Sequence, residues 1–123
     1  MGRHVLLIED EPNIMEAIRF FLSRDGWKVS CHSDGATAVA EVNRILPDVV
    51  LLDVMLPNRS GFDVLKDLRA AEATQNIPVL MLTAKGQTKD RERAENLGAS
   101  GFMTKPFSNA AVRDTLHRLV GHA

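Results

Sequence analysis

The chain has 123 residues, 45% apolar and 25% charged, which matches one globular domain with a single core rather than a disordered segment or a two-domain protein. A formal net charge of -1 and a pI near 6.4 leave no basic footprint for a nucleic-acid backbone, so direct nucleic-acid binding is not expected. Cys31 is the single cysteine, so no internal disulfide forms; with no signal-peptide pattern after Met1 and no apolar run of membrane-spanning length, a soluble, reducing, cytoplasmic setting is expected.

Along the chain, His4 to Ile8 is a short apolar run without alternation, as expected of a strand buried on both faces. Ile14, Ile18, Phe21 and Leu22 then recur at helical spacing after Asn13. Asp25-Gly26 predicts a turn into a weaker strand, Trp27 to Cys31, and Gly35 to Leu46 predicts a helix stopped by Pro47. Asp48 to Leu52 predicts a third strand, and Val64, Leu65 and Leu68 a helix after Ser60-Gly61.

Pro78 to Leu82 repeats the buried-strand pattern. A polar helix is predicted from about Gln87 to Leu97, ending at Gly98, followed by a short strand around Phe102. Ser108 caps a last helix bearing Val112, Leu116, Leu119 and Val120. Strands alternating with helices imply an α/β doubly wound parallel sheet, because parallel neighbours need long, right-handed crossovers.

The polar residues that need explaining fall where strands end: Glu9 and Asp10, Asp53, Thr83 and Lys105. That edge of an open α/β sheet is its ligand crevice. Three carboxylates gathered there suit a hard cation such as magnesium, and without one their mutual repulsion raises at least one pKa. A carboxylate is also a nucleophile toward phosphorus when incoming charge is neutralised, which Asp53, a metal and Lys105 together could do. Thr83 offers a hydroxyl donor, and small Ala84 leaves a backbone N–H accessible to the same group.

Glu9-Asp10, the run Asp48-Val49-Val50-Leu51-Leu52-Asp53-Val54-Met55-Leu56-Pro57, Gly61, Thr83-Ala84 and Lys105-Pro106-Phe107 stand in the order and spacing of one known pattern. Over essentially its whole length the chain resembles the receiver domain of two-component response regulators. The resemblance implies a flavodoxin-like (βα)5 fold with strand order 2-1-3-4-5. It implies that Asp53 is the phosphoacceptor, and that Asp10, Asp53 and the Met55 backbone carbonyl hold Mg2+, or Mn2+, with Glu9 helping through water. Lys105 then pairs with the phosphoryl group, Lys105-Pro106 is a candidate cis peptide, and Thr83 and Phe102 form a switch acting on the surface of the fourth helix, fifth strand and fifth helix. Met55 and Lys85 stand at positions that influence phosphoryl lifetime in the family. The implied partners are a histidine kinase or phosphotransfer protein and a downstream protein or output domain. The implied state is a monomer or a phosphorylation-dependent dimer. Such a domain is not a conventional enzyme, although it catalyses its own phosphotransfer and dephosphorylation.

Taken singly, each of these residues has a plainer reading, since acidic residues after strands cap helices, and a lone Thr or Lys is solvated surface. Their ordered recurrence at successive strand ends favours the site. An aspartyl-phosphate hydrolase would carry a second Asp two residues after the nucleophile, where Met55 stands, and a nucleotide-binding domain would show a glycine-rich loop after the first strand, where Glu9-Asp10-Glu11-Pro12 stands. The remaining alternative is a receiver domain excised from a larger transcription regulator or effector enzyme. Gly98-Ala99-Ser100-Gly101-Phe102, in place of the Asp-Asp-Tyr run frequent in winged-helix regulators, tilts the reading away from that class. The four histidines are scattered and receive no chemical role.

Overall fold

A computed structural model describes residues 3–83 and 88–121 of the chain. The elements are β1 (His4–Ile8), α1 (Pro12–Arg24), β2 (Lys28–His32), a 3-10 turn (Gly35–Thr37), α2 (Ala38–Ile45), β3 (Val49–Asp53), α3 (Gly61–Ala70), β4 (Val79–Thr83), α4 (Thr88–Asn96), β5 (Gly101–Thr104) and α5 (Asn109–Leu119). All strand pairs are parallel, and the sheet runs β2-β1-β3-β4-β5. The expected doubly wound, flavodoxin-like order is therefore the observed one. Among the described residues, no helix is long and apolar enough to cross a membrane.

The uniform apolar runs have a simple cause in this sheet. β3 and β4 are buried at every position, and successive side chains point to opposite faces. Leu6, Ile8, Val50, Leu52 and Met81 pack with Val42, Val64, Leu65 and Leu68 of α2 and α3. Val5, Leu7, Val49, Leu51, Leu80 and Leu82 pack with Ile18, Leu22, Val112 and Leu116 of α1 and α5. Cys31 is half-buried against this second cluster, and burial pushes its thiol pKa up.

The second helix differs most from the sequence expectation, while the second, third and fourth strands each lie one residue later than expected. The predicted helix Gly35 to Leu46 divides, because the Asp34 carboxylate accepts the Ala36 N–H and draws the entry into a 3-10 turn before α2 begins. At its far end Pro47 disfavours helical geometry for Leu46, which closes α2 in the left-handed region at φ 49. In addition, Asp53 and Thr83 are the last residues of their strands rather than the residues after them.

Arg69, at the end of α3, ties three segments together. Its Nε donates to the Gly98 carbonyl at 2.8 Å, Nη1 to the Ile77 carbonyl at 2.8 Å and Nη2 to Ser100 Oγ at 3.4 Å. Hydrogen bonds from a charged donor each stabilise by roughly 1.5–3 kcal/mol. Arg69→Met is therefore expected to lower the urea-unfolding free energy by about 2–3 kcal/mol. Arg69→Lys, which cannot span all three acceptors, should recover only part of it.

Candidate functional site

The register of the central strands builds the site. Ile8 pairs with Leu52, so the residues that follow, Glu9 and Asp53, meet at the carboxyl edge. The Glu9 side chain is fully buried; its Oε1 accepts from Lys105 Nζ at 2.8 Å and its Oε2 from the Glu11 N–H at 3.0 Å. Asp53 is 3% exposed, with Oδ1 lying 3.5 Å from Lys105 Nζ and 3.4 Å from the Met55 N–H. Asp10 is exposed at the rim, and one carboxylate oxygen from each of Glu9, Asp10 and Asp53 lies within 4.8 Å of the others.

Gly61 sets how closely the loop after β3 can return. Its N–H donates to the Val54 carbonyl at 2.8 Å, and a Cβ there would stand 2.2 Å from the Asp53 carbonyl oxygen. A side chain at position 61 would push α3 away from the strand end that presents Asp53. Ser60 then starts the helix, its Oγ accepting the Asp63 N–H at 3.3 Å.

From the other side, Lys105 is delivered by β5. Thr83 pairs with Thr104, and the Lys105 N–H donates to the Thr83 carbonyl at 2.6 Å, which brings the ammonium over the acidic group. The Lys105-Pro106 peptide is cis, as the resemblance implied. Thr83 is 4% exposed. Phe102 pairs with Met81, two residues before Thr83, so the Thr83 and Phe102 side chains lie on the same sheet face as diagonal neighbours. Phe102 is half-buried, and the Arg91 guanidinium lies 5.2 Å from its ring centroid. Ala84 and Lys85, both given roles from the sequence, lie outside the described residues.

Burial and the neighbouring Glu9 charge push the Asp53 carboxyl up to about 7, against the pull of Lys105 and the Met55 N–H. Burial is the larger cause of this rise, and the mutual repulsion expected from the sequence, here from Glu9, is the second. The donor set is oxygen only, without imidazole or thiolate, and so fits a hard divalent cation rather than zinc. Two features escaped sequence reasoning. The Glu9–Lys105 ion pair joins residues 96 positions apart, and the Arg91–Phe102 contact left no signal beyond a charge on a polar helix.

Residues 5–117 match the family described as the response regulator receiver domain. The chain belongs to that family. This receiver domain is 43% identical over 108 residues to the phosphate regulon transcriptional regulatory protein PhoB of Escherichia coli (strain K12), covering 88% of this chain and 47% of PhoB. It spans about half the length of the curated relatives it matches. Among solved structures, a putative response regulator from Chloroflexus aurantiacus J-10-fl superposes with a TM-score of 0.94 at 25% identity, covering 99% of this chain and all of that one. The receiver domain of the sensor histidine kinase PA1611 from Pseudomonas aeruginosa PAO1 superposes with a TM-score of 0.91 at 32% identity, covering 99% and 100% of the two chains; that structure has a magnesium ion coordinated in its active-site cleft. Residues 5–117 are thus a receiver domain of the two-component kind.

Proposed function

We propose that this receiver domain accepts a phosphoryl group on Asp53 from the phosphohistidine of a histidine kinase or phosphotransfer protein, and that the modified domain acts on a downstream protein or output domain in the cytoplasm. The observation that supports this best is the meeting of Asp53, Glu9, Asp10 and Lys105 at one strand edge, with Asp53 nearly buried among them. In the transfer, an Asp53 carboxylate oxygen forms the new P–O bond as the phosphorus–nitrogen bond to the donor imidazole breaks. Lys105 shifts from its carboxylate partners to the phosphoryl oxygens, and the Thr83 hydroxyl donates to one of them.

Asp10, Asp53 and the Met55 backbone carbonyl are the residues that would hold Mg2+ or Mn2+, with Glu9 acting through water. When bound, the ion supplies charge neutralisation for the transferring group. Movement of Thr83 toward the phosphoryl group vacates space into which Phe102 turns, and this alters the surface formed by α4, β5 and α5. The same residues let water return the domain to its resting state, so it switches without being a conventional enzyme. We assign it a monomeric or phosphorylation-dependent dimeric state.

Incubation with magnesium and acetyl phosphate or phosphoramidate should add the mass of one phosphoryl group to the intact chain. Asp53→Asn and metal-free samples should gain none. A gain that survives Asp53→Asn would place the acceptor elsewhere, and no gain in the unmodified chain would defeat the proposal.

A further inference from the structure

α4 is attached to the domain in an unusual way. Its nine residues, Thr-Lys-Asp-Arg-Glu-Arg-Ala-Glu-Asn, offer Ala94 alone to the apolar core among its described side chains. Two of its arginines also lie on aromatic rings: Arg91 over Phe102 of β5 at 5.2 Å, and Arg93 over Phe62 of α3 at 4.4 Å. Phe102 has no hydroxyl to hydrogen-bond, and its ring is half-buried against the core cluster that includes Met81 and Ala94. The part of an apolar ring left exposed is drawn further inward by the hydrophobic effect unless something covers it. Arg91 is exposed and supplies that cover, with its guanidinium on the ring face.

We propose that Arg91 is a positioning residue that latches Phe102 in the half-buried position it holds here, so that a cation–π contact between α4 and β5 sets how readily the domain switches. The proposal rests on the reading of Asp53 and Phe102 given above. Any interaction made only in this position opposes a ligand that favours a more deeply buried one, by the same factor in both directions. Exposed cation–π contacts are of a size that corresponds to about 2- to 5-fold in an equilibrium. Loss of Arg91 should therefore tighten the response to a phosphoryl mimic by that factor without touching any group at Asp53.

The test uses the full chain with ring-13C-labelled phenylalanine, the Phe102 signal assigned by Phe102→Leu, and beryllofluoride with magnesium as the mimic. Arg91→Ala should lower the midpoint beryllofluoride concentration by about 2- to 5-fold, with Arg91→Lys falling between it and the unmodified chain. In the metal-free chain, Arg91→Ala should already move the Phe102 signal toward its beryllofluoride-bound position. Lys89→Ala removes an exposed positive charge from the same helix without uncovering the ring, and should leave both readouts unchanged. An unchanged or raised midpoint in Arg91→Ala, or an equal shift in Lys89→Ala, would overturn the latch while leaving the phospho-switch intact. If the unmodified chain fails to respond to beryllofluoride, the latch falls together with the reading it rests on.

Discussion

Lys105→Met is expected to be the most damaging single change at this site, because its ammonium is the cation found between two buried carboxyl groups. Glu9 has no exposed surface, Asp53 is 3% exposed, and Lys105 Nζ lies 2.8 Å from the first and 3.5 Å from the second. Removing one member of a buried ion pair leaves the other charge desolvated and uncompensated, which destabilises by roughly 3–5 kcal/mol. Urea unfolding of the metal-free protein at neutral pH should show a loss of that size. Part of it should return with magnesium, whose binding to the folded state alone stabilises by mass action. The rate of phosphoryl uptake from acetyl phosphate should also fall, by about 10²–10³-fold, as for the loss of one preorganised charge-stabilising donor. Unchanged stability together with unchanged uptake would show that Lys105 is only a solvated neighbour of the carboxylates.

Asp53→Asn is expected to act in the opposite sense on stability while abolishing phosphoryl uptake. The folded-state Asp53 carboxyl titrates near 7 instead of at its ordinary 3.8, chiefly through burial and the Glu9 charge. A raised carboxyl pKa means that the folded state holds the proton more tightly than the unfolded chain. Its contribution is full below about pH 4 and is lost as pH rises through 7, so the metal-free protein weakens over that window. The neutral amide escapes this, so the variant should exceed the unmodified chain by on the order of 4 kcal/mol at most near pH 8. The difference should close toward pH 4. Magnesium should then raise the thermal midpoint of the unmodified chain more than that of the variant, since the variant has lost one of the three clustered carboxylates. Equal pH profiles for the two proteins would show that Asp53 is not held under electrostatic strain.

The opposite signs of these two changes follow from one arrangement. Lys105 lies between Glu9 and Asp53, with Asp10 at the rim, and burial together with the Glu9 charge makes ionised Asp53 costly in the metal-free site. Removing that acid relieves the cost and removing the base aggravates it. Such an acidic cluster could hold a metal ion, and its crowding comes at the expense of resting stability.

Much of the fold was legible in the sequence because burial leaves a local record. Three uninterrupted apolar runs named the central strands to within a residue, since a strand covered on both faces has no position for a polar side chain. Ser108 marked the last helix start and caps the Ala111 N–H as expected, while Ser60, read only as preceding a helix, caps the Asp63 N–H as well. The division of the second helix was less legible, because it depends on Asp34 bonding the Ala36 N–H and on how closely position 35 approaches the Arg59 carbonyl. The second of these is a contact between distant segments.

For the site, the sequence by itself determined which residues were available: Glu9, Asp10, Asp53, Thr83 and Lys105 each stand at the end of a strand, and strand ends are read from local periodicity. Tertiary structure alone decided which of them touch. The order β2-β1-β3-β4-β5 and the pairing of Ile8 with Leu52 place Glu9 beside Asp53, and the return of β5 lays Lys105 across both. The same packing sets Arg91 on Phe102 and shields Asp53 until its carboxyl titrates near 7. Periodicity records whether a side chain is buried. Its partner and its charge state depend on which distant segments the register brings within a few ångströms, and no local pattern encodes that distance.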